Sequence, residues 1–193
     1  MVATIATSAC WGLVVLTWIA GALYWGRGSR RSRQGRARPL WAIMLVVAAV
    51  VVVRLSWHDV GRLTDHSKWI ELPGLVLLVV STAFTIWARI KLGRMWSASP
   101  NMLQAGHELR TDGPYAITRH PIYTGILGMV IGTVLLNGLG STLAALLFSA
   151  VFLTTRIPVE ERLMTSTFPD EYDRYRKRVP LLVPGLHLHR REH

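Results

Sequence analysis

The sequence contains a single cysteine, Cys10, which excludes an intrachain disulfide. Acidic residues are also scarce: 11 Asp and Glu stand against 22 Lys and Arg, and charged residues make up only 17% of the chain. Hydrophobic residues make up 51% and occur in long runs, which is unlike a soluble globular domain. The net charge of +11 would suit nucleic acid, but the basic residues flank the apolar runs, as membrane topology requires. We therefore predict an integral membrane protein without a nucleic-acid partner.

Apolar runs that are long enough to cross a hydrocarbon core of about 30 Å dominate the first half of the chain. They cover residues 2–25, 39–57 and 69–90. No lysine or arginine precedes the first run, whereas a group of arginines follows it: Arg27, Arg30, Arg31, Arg33, Arg36 and Arg38. This order predicts an uncleaved first span with its N-terminus outside and the arginines in the cytoplasm.

Two shorter apolar runs of sixteen residues each follow the polar middle of the chain. Residues 121–136 and 142–157 flank a turn signal, so we predict a helical hairpin. Gly125, Gly128 and Gly132 share one face of the first helix and would admit a neighbouring helix at close range. A proline at position 158 follows the second run, where it can bend the helix.

The distribution of Lys and Arg predicts the topology. Nineteen of the 22 fall in segments that alternating spans place in the cytoplasm, against Arg54, Arg62 and Lys68 on the other side. We therefore predict an all-α, multi-pass integral membrane protein of five transmembrane helices, with the N-terminus outside and the C-terminus inside. Residues 1–193 form one membrane domain in this prediction. It has three N-terminal spans to residue 90, and a cytoplasmic loop, the short hairpin and a tail from residue 91.

Polar residues concentrate at the cytoplasmic end of the predicted hairpin. Gly113–Gly125 holds two tyrosines, a histidine, an arginine and two prolines, and Arg156, Glu160 and Glu161 close the second run. Arg156 and Glu160 are four residues apart, so they share a face if the helix is continuous. Since the two ends of a hairpin are adjacent, these groups converge, and the pattern favours a ligand site. The structural alternatives are snorkelling arginines, interfacial tyrosines and solvated acids.

At these residues the sequence resembles the isoprenylcysteine carboxyl methyltransferase family, membrane enzymes that use S-adenosylmethionine, and in particular its short members. The matching elements run in family order over about half of the chain. They are Leu92-Gly-Arg-Met-Trp-Ser97, His107-x-Leu-x-Thr-x-Gly-Pro-Tyr115, Arg119-His-Pro-x-Tyr-x-Gly125, Arg156 with Glu160-Glu161, and Phe168-x-x-Glu-Tyr-x-x-Tyr-x-x-x-Val-Pro180.

The resemblance implies roles for individual residues. It implies a cofactor site formed by His107, Glu108, Leu109, Arg110, Tyr115, His120, Pro121, Ile122, Tyr123 and Glu160. It also implies that Arg156 is the catalytic residue and faces the substrate carboxylate, with Glu161 on the substrate side. The family uses a glutamine upstream of the matching histidine; Pro100 stands there in this sequence, and Gln104 can replace it only if the loop is shorter.

The chemistry of methyl transfer suits this set of side chains. S-adenosylmethionine carries a sulfonium, a carboxylate, an ammonium, a ribose diol and an adenine, for which cations, carboxylates and tyrosines are partners. A carboxylate acceptor is already ionised at neutral pH, so its methylation needs no general base. An amine or thiol acceptor would need one, and Glu161 or His120 is the candidate.

We therefore predict an S-adenosylmethionine-dependent methyltransferase that yields S-adenosylhomocysteine and acts at the cytoplasmic membrane face. Its predicted partners are membrane lipid and a lipophilic or prenylated acceptor, such as an isoprenylcysteine or isoprenoid-like carboxylate. The alternatives are a phospholipid N-methyltransferase, a thiol S-methyltransferase, a sterol-type reductase with a nicotinamide cofactor, and a non-enzymatic lipid-binding scaffold. No metal site is predicted, because His187, His189 and His193 stand in the tail without a cysteine.

Overall fold

The computed structural model describes residues 2–26, 68–93, 108–138 and 142–186, and all regular secondary structure in these ranges is helical. The α-helices are α1 (Val2–Gly26), α2 (Lys68–Leu92), α3 (Pro121–Asn137), α4 (Thr142–Thr167) and α5 (Pro169–Arg178). A short 3₁₀ helix, Gly113–Ala116, precedes α3. The predicted all-α class is confirmed for this part of the chain.

Two of the helices are long and apolar enough to cross a membrane. They are Val2–Tyr24 within α1 and Trp69–Leu92 within α2, and α3 is a shorter apolar helix. Large apolar side chains on the outer faces of α1 and α2 are exposed, for example Leu16 and Val80. Such a surface suits lipid better than water. The predicted second span, residues 39–57, lies outside the described residues.

A stripe of glycines brings α3 into backbone contact with α2. A Cβ atom at Gly132 would lie 2.8 Å from the backbone nitrogen of Leu78 and 2.9 Å from the carbonyl oxygen of Gly74. A Cβ atom at Gly125 would overlap the side chain of Thr85. Neither position has room for a side chain, so the close approach predicted from the glycine spacing is confirmed.

Gly132→Ala is expected to lower the free energy of unfolding by about 2 kcal/mol, because the atoms that the new methyl group meets belong to the backbone of α2. Thermal unfolding in detergent, followed by circular dichroism, measures the change. Gly12→Ala is the matched control, since nothing lies within 4 Å of the position that a Cβ atom would take in α1. Equal effects of the two substitutions would show that crowding against α2 is not the cause.

α1 packs on the same helix pair through paired polar groups. The indole nitrogen of Trp11 donates to the Thr133 hydroxyl over 3.2 Å, and the Asn137 amide donates to the Thr7 hydroxyl over 3.1 Å. Thr7 and Thr133 are almost completely buried, so these bonds satisfy groups that have no access to water. The free thiol of Cys10 is buried in this core as well. α1, α2 and α3 therefore pack into one helical unit.

The second helix of the predicted hairpin is longer than the sixteen residues expected from its apolar run. α4 continues as one helix through Pro158 to Thr167. Proline removes one backbone donor from a helix, but the carboxylates of Glu160 and Glu161 bind neighbouring elements and hold the extension in place. As a result, Arg156 and both glutamates lie on one continuous helix.

Candidate functional site

The loop before α3 is fastened to the end of α2. The Lys91 ammonium pairs with the Asp112 carboxylate over 2.6 Å. Gly113 then adopts a φ of +59°, a left-handed conformation that glycine takes without a steric penalty. The turn buries Pro114 and Tyr115 in the 3₁₀ helix. This anchoring leads the chain directly to the first turn of α3.

Side chains from α3 and α4 meet around Glu160. The Tyr123 hydroxyl donates to one carboxylate oxygen of Glu160 over 2.6 Å, and His120 Nδ1 lies 3.6 Å from the other oxygen. The Arg156 guanidinium approaches the first oxygen to 3.5 Å, which confirms that the two residues share a helix face. Arg156 also lies over the Phe152 ring, 5.8 Å from its centroid. We refer to His120, Tyr123, Arg156 and Glu160 as the Glu160 cluster.

Glu161, the next residue on α4, joins three further groups. His120 Nε2 lies 2.9 Å from one of its oxygens, and the Tyr172 hydroxyl of α5 donates to the same oxygen. The Arg119 guanidinium donates to the other oxygen. The His120 ring, whose side chain is only 8% exposed, is therefore held between two carboxylates.

The segment after α5 caps the N-terminus of α3. The backbone N–H groups of Arg119 and His120 donate to the carbonyl oxygens of Pro180 and Leu181, over 2.9 and 3.2 Å. The Thr124 hydroxyl lies 2.7 Å from the Leu182 carbonyl oxygen and donates to it. Backbone N–H groups at the start of a helix have no partner inside the helix. The C-terminal segment supplies partners here and fixes the backbone that carries His120.

Tyr175→Phe is expected to lower the free energy of unfolding by about 1–2 kcal/mol. The Tyr175 hydroxyl donates to the buried carbonyl oxygen of Tyr115 over 2.6 Å, and phenylalanine would leave that oxygen without its partner. Urea unfolding in detergent measures the difference. Thr154→Val, an exposed substitution on α4, is the control. A variant as stable as the parent protein would contradict a bond that holds α5 to the loop.

The contacts within the site favour the charged forms of His120, Glu160 and Glu161. Burial alone would lower the pKa of His120, but Glu160 and Glu161 outweigh it and raise that pKa above its ordinary value. Burial alone would raise the pKa of each glutamate, but their bonds to His120 and to the tyrosines keep both pKa values below the ordinary range. The arrangement therefore favours an imidazolium between two carboxylates. Burial raises the pKa values of Tyr115 and Tyr172, so both phenols stay neutral donors.

The other residues implied by the resemblance are more dispersed. Glu108 is exposed and lies 3.8 Å from Arg110, while Leu109 packs against the buried face of α5. Pro121 is fully buried, and Ile122 packs against the core of the membrane helices. His107, Pro100, Gln104 and the three tail histidines lie outside the described residues, as does the 94–97 part of the first motif.

Some residues of the site were not predicted. From the sequence, Arg119 could not be distinguished from an arginine that snorkels to lipid headgroups. No role was predicted from the sequence for Tyr172 and Tyr175. The sequence does contain a signal for the two tyrosines. They stand three residues apart in a segment that is otherwise almost entirely charged, and this pattern predicts a helix with one buried face. No sequence signal marks the backbone contacts of Pro180 and Leu181.

Comparison with known proteins agrees with the fold and the motifs. Residues 74–166 match the model of the isoprenylcysteine carboxyl methyltransferase family. A protein-S-isoprenylcysteine O-methyltransferase of Schizosaccharomyces pombe is 46% identical over 81 residues, which are 40% of this chain and 34% of that protein. A probable protein-S-isoprenylcysteine O-methyltransferase of Oryza sativa subsp. indica is 30% identical over 76% of this chain and 82% of that protein.

Two further similarities extend the comparison. A nickel-cobalt-cadmium resistance protein, NccN, of Alcaligenes xylosoxydans xylosoxydans is 32% identical over 78% of this chain and 67% of that protein. The solved structure of a eukaryotic intramembrane Ras methyltransferase, isoprenylcysteine carboxyl methyltransferase, superposes with a TM-score of 0.60 at 26% identity. That superposition covers 75% of this chain and 53% of the solved one, so this chain spans about half of that protein. From the family model and the coverage of the rice relative, the chain belongs to the isoprenylcysteine carboxyl methyltransferase family.

Proposed function

We propose that the chain is an S-adenosylmethionine-dependent methyltransferase that methylates the carboxylate of a lipophilic acceptor, an isoprenylcysteine or an isoprenoid-like acid. We place the reaction at the cytoplasmic face of a single, five-span membrane domain whose N-terminus lies outside. The Glu160 cluster is the observation that carries the proposal. It gathers opposite charges where the start of α3 lies beside the end of the apolar part of α4.

The donor set fits the cofactor. Oε2 of Glu160 has its closest described partner, His120 Nδ1, at 3.6 Å, so this oxygen can accept a shorter bond from an ammonium or a ribose hydroxyl. Arg110, whose side chain is partly exposed, offers a cation for the cofactor carboxylate. Tyr115 follows Arg110 in the chain and is buried in the 3₁₀ helix before α3. When bound, the cofactor supplies an electrophilic methyl group on a sulfonium.

Arg156 is placed to orient the acceptor. Its guanidinium is mostly buried, touches Glu160 and lies over Phe152, which restricts its rotamers before any ligand arrives. A planar guanidinium can hold a carboxylate through two parallel bonds. Such a clamp raises the rate by positioning, and no proton has to move, because a carboxylate acceptor is already ionised.

The apolar part of the acceptor has a surface close to Arg156. On α4, the Phe148 and Phe152 rings stack with centroids 6.2 Å apart, and Phe148 is 52% exposed. An isoprenoid chain would lie against these rings and lipid, while its carboxylate reaches Arg156. The names of the yeast and rice relatives, which specify an isoprenylcysteine, support this acceptor class.

The name of NccN suggests a metal-related function for that protein. Within residues 2–26, 68–93, 108–138 and 142–186, no group of three or more His, Cys, Asp or Glu side chains is placed to hold a metal ion. The proposal therefore follows the relatives that are named as methyltransferases.

Calorimetric titration of the detergent-solubilised protein with S-adenosylhomocysteine tests the cofactor. Saturable binding to the folded wild type is expected, and its absence would overturn the proposal. If NADPH, and not S-adenosylhomocysteine, stabilised the protein against thermal unfolding, a reductase would be favoured. The acceptor is then identified by incubating a lipid extract with the enzyme and a methyl donor labelled in its methyl group. A carboxyl methyl ester releases labelled methanol in alkali, whereas an N-methyl or S-methyl product keeps its label.

A further inference from the structure

The carboxylate of Glu161 is almost fully occupied by protein groups. It accepts hydrogen bonds from Arg119 before α3, from His120 at the start of α3 and from Tyr172 on α5. A carboxylate offers about four lone-pair sites, so at most one remains. A ligand could bind Glu161 without displacing a donor only at the site left on Oε2, beside the Arg119 guanidinium.

Glu160 differs from Glu161 in this respect. Its Oε1 accepts from Tyr123 and Arg156, but the nearest described group to Oε2 is His120 Nδ1, beyond hydrogen-bond distance at 3.6 Å. The two adjacent glutamates therefore face the same imidazole ring but differ in how many protein groups bind their oxygens. Both oxygens of Glu161 accept hydrogen bonds from protein groups, whereas Oε2 of Glu160 has no described donor within hydrogen-bond distance.

We propose that Glu161 is a positioning residue: it fixes His120 against Glu160 and fastens α5 to the site through Tyr172, and it does not contact cofactor or acceptor. This role rests on the proposed function and replaces the substrate-binding role that the resemblance implied for Glu161. Glu161 acts on the ligand only through His120, whose Nε2 it holds while Nδ1 faces Glu160.

The charge of His120 follows from this arrangement. Its ring contacts Glu160 and Glu161 on α4 and Tyr123 on α3. The two carboxylates in turn bind Arg156 on α4, Arg119 in the loop and Tyr172 on α5. Two anions at 2.9 and 3.6 Å favour the imidazolium over the neutral ring. Removing the charge of Glu161 takes away the nearer anion and leaves the cation Arg119 without its partner. Both changes make the imidazolium less favourable.

α5 is also part of the site, because two of its tyrosines bind groups there. Tyr172 and Tyr175 point from α5 to the Glu161 carboxylate and to the Tyr115 carbonyl oxygen, and both side chains are buried. A hydroxyl that donates to Glu161 stabilises its negative charge and weakens its pull on the imidazole proton. Loss of the Tyr172 hydroxyl should therefore change the His120 pKa in the opposite direction to loss of the Glu161 charge.

Titration of the His120 imidazole by NMR, in protein with labelled histidine, tests the proposal without any ligand. The His120 signal among the seven histidines is assigned from its absence in His120→Gln. In Glu161→Gln the pKa is expected to fall by at least about one unit, as for loss of an opposite charge at this range. In Tyr172→Phe it is expected to rise. Glu171→Gln, an exposed change on α5, is the control and should leave it unchanged.

Binding and kinetics complete the test. Glu161→Gln is expected to keep the affinity for S-adenosylhomocysteine and the KM for the acceptor within about threefold of wild type, well under one tenfold step. A larger change in either, or a His120 pKa that does not move in either variant, would overturn the proposal. If Glu161→Gln does not fold, the direction of the change in Tyr172→Phe decides. Failure of wild type to bind S-adenosylhomocysteine counts against the proposed function alone, since the imidazole titration stands without it.

Discussion

Replacing Arg156 with alanine is expected to reduce the turnover of the methyl-transfer reaction by about 100-fold, the size of effect that follows from misplacing a reactant by about 1 Å. Arg156 is mostly buried, and its guanidinium is held by Glu160 and Phe152, so it can orient an acceptor carboxylate at little entropic cost. Affinity for S-adenosylhomocysteine should stay within about threefold of wild type. Steady-state kinetics with a labelled methyl donor, together with calorimetry, separates the two effects.

Two further variants make this experiment specific. Arg156→Lys keeps the positive charge but loses the planar fork, so its activity should lie between wild type and alanine. Arg162→Ala removes an exposed arginine less than two turns further along α4 and should leave turnover unchanged. A parallel loss of turnover and cofactor affinity in Arg156→Ala would place this residue on the cofactor side. Thermal unfolding of each variant shows whether the packing against Phe152 was lost as well.

The helix positions could be predicted because membrane helices have strong, local sequence signals. The start of α3 at Pro121 and the start of α4 at Thr142 agree with the predicted runs. The end of α4 does not, because its last ten residues are mostly polar and their helical structure depends on contacts with other elements. Glu160 binds Tyr123, and Glu161 binds Tyr172 across 11 residues of sequence, contacts that no periodicity displays.

The same distinction applies to the site. His120, Tyr123 and Glu160 could be placed together because a hairpin makes its two ends adjacent. The partners of Glu161 could not be predicted, because they depend on the angle at which α5 returns after Phe168. The contacts of Arg119 and His120 with Pro180 and Leu181 are backbone bonds, and almost any sequence could form them. The structure was needed to separate two adjacent glutamates that look equivalent in the sequence.

Glu160→Gln is expected to weaken S-adenosylhomocysteine binding by about 100-fold, or about 3 kcal/mol, the range for removing one charge from a buried, hydrogen-bonded pair. Glutamine has nearly the same shape, so Tyr123 can still donate to the side-chain oxygen. What is lost is the negative charge that faces His120 and, in the proposed function, the ammonium or ribose of the ligand. Calorimetric titration in detergent measures the affinity.

The same substitution at Glu161 shows whether the loss of affinity in Glu160→Gln comes from a lost ligand contact or from the general electrostatics of the site. Glu161→Gln removes the same charge one residue along α4, at a carboxylate that three protein donors already occupy. If general electrostatics of the site governed binding, the two variants would lose similar affinity. If contact with the ligand governs binding, only Glu160→Gln loses affinity. The affinity of Glu171→Gln, an exposed change on α5, then stays at the wild-type value. Unchanged affinity in Glu160→Gln would remove Glu160 from the cofactor site, and with it the main structural support for the proposed methyltransferase.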